Sequence, residues 1–130
     1  MKRRILLVDD EQDITFALGI GLEDNGFVVD SFNDPILALQ SFKEKQPYDL
    51  ALLDIKMPKM NGFELYNEIR KIDDKVKVCF FTAFDIERDE EYSDSIVRRR
   101  TAASNDKDKS FIVRKPIDIE ELVKRIKEVI

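Results

Sequence analysis

Five polar residues of this chain stand where short apolar runs stop. Asp9 and Asp10 follow Ile5-Leu6-Leu7-Val8, Asp54 follows Leu50-Ala51-Leu52-Leu53, Thr82 closes the run from Val76, and Lys115 follows Phe111-Ile112-Val113-Arg114. Carboxylates brought within several ångströms of one another repel. A hard divalent cation with oxygen ligands relieves that repulsion. Mg²⁺ suits such a set, because it takes few carboxylates, keeps several waters and leaves room for phosphate oxygens. A carboxylate beside such a cation can attack phosphorus and become an aspartyl-phosphate. A lysine would pair with a phosphate oxygen as a point charge, and a threonine hydroxyl would donate to another.

Each residue alone has a plainer reading. A lone Asp at the end of an apolar run is more often a helix cap or a loop residue, and Asp10 would cap the helix that follows it. Lys115 would be a solvated surface lysine and Thr82 a strand residue by propensity. The chemical reading rests on the set, because these residues close four different runs.

Those runs must be positioned by something. Ile5–Val8, Phe27–Phe32, Asp49–Asp54, Val76–Thr82 and Phe111–Arg114 read as strands, several of them continuously apolar, as strands buried on both faces of a parallel sheet are. Between them lie helical spacings. Ile14, Ala17, Leu18, Gly21 and Leu22 form the first, closed by Asn25-Gly26. Asp34-Pro35 starts the second, with Ile36, Leu39 and Phe42, as a cap followed by a first-turn proline does. Asn61-Gly62 opens the third, with Leu65, Tyr66 and Ile69. Asp118-Ile119-Glu120-Glu121 has the form of a capping box before a last helix carrying Leu122, Val123, Ile126, Val129 and Ile130. Gly19 and Gly21 weaken the first helix and are expected to allow close packing on the sheet. Alternating strands and helices imply an α/β fold, a parallel sheet with helices on both faces. Right-handed crossovers then bring the strand C-terminal ends to one edge, where ligands bind in such folds.

The length of 130 residues fits one domain, residues 1–130, and 43% hydrophobic with 38% charged residues is a globular profile. No apolar run approaches a membrane span, and the apolar run after Lys2-Arg3-Arg4 is too short for a signal peptide, so a cytoplasmic location is expected. The single cysteine, Cys79, reads as a buried structural thiol. The absence of histidine excludes His-based catalysis, His metal sites and a phosphohistidine on this chain. A net charge of −5 argues against nucleic acid as a direct partner.

Val8-Asp9-Asp10-Glu11, Asp54-Ile55-Lys56-Met57-Pro58, Asn61-Gly62, Thr82-Ala83 and Lys115-Pro116 together resemble the signature of response-regulator receiver domains of two-component signal transduction. The resemblance implies a doubly wound, flavodoxin-like sheet of strand order 2-1-3-4-5. It implies that Asp54 accepts a phosphoryl group from a sensor histidine kinase or phosphotransfer protein. Asp9, Asp10 and Asp54 would hold Mg²⁺ with the backbone carbonyl of Lys56. Thr82, Ala83 and Lys115 would contact the phosphoryl group, and the Lys115–Pro116 bond would be cis. Lys56 and Phe84 occupy the positions that tune dephosphorylation, and the bulky Phe84 is expected to shield the acyl-phosphate and slow its hydrolysis. The chain would then be a self-assisting phosphoacceptor rather than a turnover enzyme. It would signal to a protein effector or an output domain outside this sequence, with no membrane contact and a homodimer left open.

Two stretches depart from the family pattern. The interval from Thr82 to Lys115 is longer than usual, and it reads as a charged helix over Ile86–Arg100 followed by a polar loop to Ser110. The switch aromatic normally lies three residues before the lysine, where this chain has Ile112. Either a bulge returns Phe111 to that position or threonine–aromatic coupling is absent, and the residues favour absence. These departures sustain a second reading, a pseudo-receiver interaction module. A Mg²⁺-dependent phosphohydrolase would want a second acid where Lys56 stands. A flavin module would want a phosphate loop after the first strand.

Overall fold

The computed structural model describes residues 2–45, 47–82, 111–115 and 118–130. The described elements are β1 (Arg4–Val8), α1 (Gln12–Asp24), β2 (Val28–Phe32), α2 (Pro35–Glu44), β3 (Leu50–Asp54), α3 (Gly62–Ile72), β4 (Lys77–Thr82), β5 (Phe111–Arg114) and α4 (Ile119–Val129). The strands form one five-stranded sheet in the order β2-β1-β3-β4-β5, and all four pairings are parallel. This is the expected doubly wound fold. The strand order reverses between β1 and β3, so a crevice opens at their C-terminal ends.

Strand alternation splits the core into two layers. Leu6, Val8, Ala51, Leu53 and Phe80 pack with Ala38, Phe42, Phe63 and Tyr66 of α2 and α3. Ile5, Leu7, Leu50, Leu52, Cys79 and Phe81 pack with Leu18, Leu22, Leu122, Val123 and Ile126 of α1 and α4. Cys79 is fully buried, as expected. Each central strand therefore feeds both layers, which is why its run is apolar at every position.

Several element edges differ from the sequence reading, each for a local reason. Phe27 stays outside β2 because its amide closes the α1 C-terminus on Leu22 O at 3.2 Å, beside Gly26 at φ +91°. Asp49 precedes β3, its carboxylate accepting from the Arg4 amide at 2.7 Å. Val76 precedes β4 with its carbonyl held by Arg70 at 2.6 Å. The N-cap of α1 is Glu11, not Asp10, and it makes no side-chain cap bond. In α1 the inward residues are Thr15, Leu18, Gly19 and Leu22, while Ala17 faces solvent. In α2 they are Pro35, Ala38, Ser41 and Phe42, and Ile36 points out. Gly19 does lie against the sheet, near Ser31 of β2, but Gly21 makes room for Ile119 of α4 instead.

The α3 N-terminus is strongly specified. Asn61 accepts from the Glu64 amide, and the Glu64 carboxylate accepts from the Asn61 amide, a full capping box. Asp118 caps α4 by accepting from Glu120 N at 3.0 Å. Among the described residues no helix is long and apolar enough to cross a membrane. The expected helix over 86–100, the polar loop to residue 110, Ala83, Phe84 and the Lys115–Pro116 peptide lie outside the described residues.

Candidate functional site

The period of two that builds the core also aims the polar residues. Leu50 and Leu52 face the α1–α4 layer, and Asp54 continues that row at the end of β3. Ile5 and Leu7 lead in the same way to Asp9, and Val113 leads to Lys115. The side chains meet as this parity requires. The Lys115 ammonium lies 2.7 Å from Asp9 Oδ2 and 3.5 Å from Asp54 Oδ1. It also sits 4.8 Å above the Phe81 ring, the next residue of that layer on β4. The Lys115 amide donates to Thr82 O at 2.8 Å, which fixes where β5 releases the chain.

Asp9, Asp10 and Asp54 each offer a carboxylate oxygen to one space, with all three atoms within 4.8 Å of one another. Asp9 is fully buried and Asp54 is 5% exposed, whereas Asp10 is exposed. The Glu11 amide donates to Asp9 Oδ1 at 2.8 Å, so Asp9 is held from two sides. Lys115 offers one positive charge against three carboxyl groups, an imbalance that a bound cation would relieve. This donor set fits a small divalent ion: hard oxygens, few carboxylates and an open, exposed side at Asp10.

Electrostatics express the same imbalance. Burial, then the charge of Asp9, pushes Asp54 up to about 7, although Lys115 pulls it down. Burial also raises Asp9, against the hydrogen bond from Lys115. Burial works against the charge on Lys115, but the Asp9 hydrogen bond and the Asp54 charge override it and hold the ammonium above its ordinary value. Without a metal, Asp54 holds its proton up to about neutrality while the lysine stays charged.

The remaining expected site residues are placed as follows. Thr82 is fully buried at the end of β4 and pairs with Arg114. Lys56 is exposed, two residues beyond Asp54. The β4–β5 register runs without a break from Cys79↔Phe111 to Thr82↔Arg114, so no bulge moves Phe111. Ile112 takes the position three residues before Lys115 and packs on the α2–α3 layer.

Three residues were given no role in the site by the sequence reading. Gly62 is needed for space: a Cβ there would overlap the Asp54 carbonyl oxygen and lie 2.9 Å from Ile55 Cα. Lys59 adopts φ 71° in the loop after Asp54, and its ammonium holds Asp34 at 2.8 Å. Asn33 reaches from the end of β2 to Asp9. Only the Asn-Gly pair carried a visible signal, because asparagine and lysine in polar turns look alike whether or not they brace a site.

The sequence matches the family described as "Response regulator receiver domain" over residues 5–127, and the chain belongs to that family. It is 37% identical over 127 residues to the transcriptional regulatory protein CpxR homolog of Haemophilus influenzae, covering 98% of this chain and 50% of that one. It is 35% identical over 124 residues to the transcriptional regulatory protein PrrA of Mycobacterium tuberculosis, covering 95% of this chain and 48% of that one. The chain thus spans about half the length of these curated relatives. Among solved structures it resembles a CheY-like receiver domain protein of Methanospirillum hungatei, with TM-score 0.81, 27% identity, and 98% and 93% of the two chains covered. It also resembles response regulator TrrA of Thermotoga maritima, solved in complex with Mg²⁺ and BeF, with TM-score 0.78, 30% identity, and 98% and 99% covered.

Proposed function

We propose that this receiver domain is a Mg²⁺-dependent switch that accepts a phosphoryl group on Asp54. The observation that carries this reading is the convergence on Asp54 of two further acids, within 4.8 Å, and the Lys115 ammonium at 3.5 Å. Mg²⁺, held by Asp9, Asp10, Asp54 and the Lys56 carbonyl, would neutralise charge on the transferred group. The Asp54 carboxylate forms a bond to phosphorus while the phosphorus–nitrogen bond of a donor phosphohistidine breaks. The imidazole leaves with the electron pair and takes up a proton. Lys115 then pairs with a phosphoryl oxygen, and Thr82 and Ala83 complete the contacts.

A donor protein must approach over the strand ends. Phe16, 70% exposed, and Ile20, 47% exposed, lie one turn apart on α1 and offer it an apolar foothold. In this reading residues 1–130 form one receiver unit in the cytoplasm, supplied by a sensor histidine kinase or phosphotransfer protein. It acts on a protein effector or on an output domain of the kind its longer, transcriptional relatives suggest. The chain assists its own phosphotransfer and slow dephosphorylation without being a turnover enzyme. Phe84 motivates the slow hydrolysis, and Phe84→Glu is expected to quicken loss of phosphate, measured by mass against time.

A second reading is favoured by one observation, Ile112 at the usual aromatic position. It is a pseudo-receiver that binds partners without switching. Incubation with Mg²⁺ and acetyl phosphate separates the two. A hydroxylamine-labile phosphate on the wild type, absent from Asp54→Asn, supports the switch. No labile phosphate on the wild type supports the pseudo-receiver.

A further inference from the structure

Asn33 follows β2 and caps no helix, since Asp34 is the N-cap of α2. Its side-chain amide instead donates to the backbone carbonyl of Asp9 at 2.8 Å and to Thr15 Oγ1 at 2.9 Å. Thr15 Oγ1 in turn donates to Gln12 O at 3.0 Å, so its lone pairs are free to accept from Asn33. The Asp9 amide donates to Phe32 O at 3.1 Å. The end of β2 therefore grips Asp9 at both backbone groups.

The carbonyl of Asp9 belongs to the peptide that joins it to Asp10. Peptide planarity means that fixing this oxygen fixes the plane from Asp9 Cα to Asp10 Cα, and so the point from which the Asp10 side chain departs. Asp9 needs little help, because its carboxylate is already held by Glu11 N and Lys115. Asp10 is exposed, and fixing the peptide it shares with Asp9 limits where its carboxylate can swing.

We propose that Asn33 is a positioning residue for the acid pair Asp9–Asp10, raising divalent-cation affinity by locking the peptide between them. This rests on the metal reading above. A preorganised pair of oxygens loses less freedom when the ion binds than a pair on a swinging loop. The neighbouring residue acts in the same sense on the opposite wall, since Asp34 holds Lys59 in the loop that follows Asp54.

The test is a titration of the full chain with Mn²⁺, followed by electron paramagnetic resonance of the free ion, with no phosphodonor present. Wild type, Asp10→Ala, Asn33→Ala and Thr15→Val are compared, with metal-free melting of each. Asn33→Ala loses both side-chain bonds, and loss of the neutral one to the Asp9 carbonyl is expected to weaken Mn²⁺ by about fivefold. Thr15→Val loses one of the two Asn33 bonds but spares the one to Asp9, so it is expected to lower the melting temperature while keeping Mn²⁺ affinity within about twofold of wild type. Wild-type binding that Asp10→Ala abolishes and Asn33→Ala leaves unchanged overturns the role of Asn33 alone. Equal weakening by Thr15→Val and Asn33→Ala would mean general loosening of the loop, and overturns it too. Absence of wild-type binding, or binding indifferent to Asp10→Ala, overturns the metal reading and this inference with it.

Discussion

Asp54 and Asp9 share one ammonium, and the charge balance at that point governs how the metal-free protein responds to pH. The folded Asp54 titrates near 7 against an ordinary 3.8. A group whose folded pKa is raised contributes stability that is complete below its unfolded pKa and disappears as pH rises through the folded one. Metal-free wild type is therefore expected to lose stability from about pH 4 to about pH 7, by a few kcal/mol at most, as read by urea denaturation. Asp54→Asn should flatten that fall, and a flat wild-type curve would contradict the placement of Asp54. Mg²⁺ must displace the Asp54 proton, so its stabilising effect should grow with pH across the same window. Lys115→Met removes the ammonium that lies 2.7 Å from Asp9 and 3.5 Å from Asp54. It should cost about 3 kcal/mol at neutral pH, with part of the loss restored by Mg²⁺. The acids, Thr82 and Lys115 were legible because each interrupts an apolar run. The Phe81 ring under Lys115 was not legible as a site residue, since an aromatic in a buried strand looks like core.

Elements set how closely these residues approach. The α3 N-terminus sits against the end of β3, where Gly62 N donates to Ile55 O at 2.8 Å. Gly62→Ala must push the helix from Asp54, and overpacking of this kind costs about 2 kcal/mol. The variant is expected to unfold earlier in urea and to bind BeF₃⁻ with Mg²⁺ more weakly, while an alanine at the exposed Gly26 would affect stability alone. At the opposite end of the sheet, the Tyr48 hydroxyl donates to Asp30 at 2.6 Å and meets Ser41 at 3.1 Å. Burial and Asp30 push that phenol up to about 12, so it remains a donor. Tyr48→Phe should lower stability by about 1 kcal/mol in the same denaturation assay and leave phosphorylation unchanged. Strands were readable from sequence because burial on both faces makes them apolar throughout. The helix stripes were less so: Thr15, Gly19 and Ser41 are small or polar yet face inward, whereas Ile36 and Phe16 face out. Large apolar residues at helical spacing mark a stripe only when the surface spares none of them, and this surface does not.

Across the whole molecule, the chemistry and its transmission separate. The sheet order brings residues far apart in sequence to one crevice, and Asp9 to Lys115 is its longest link. That convergence was predictable from topology, because parallel strands must end on the same edge. Transmission is another matter. Ile112 holds the position where the family carries an aromatic, in an unbroken β4–β5 register. Phosphorylation of Asp54 is therefore expected to proceed without the usual threonine–aromatic movement. The most direct test of the account is chemical mapping of the phosphoryl group. The protein is treated with Mg²⁺ and acetyl phosphate, reduced with borohydride, digested and sequenced by mass spectrometry. An aspartyl-phosphate is reduced to homoserine, so homoserine at position 54 alone is the predicted result. Homoserine at position 9 or 10, or none at all, would contradict it.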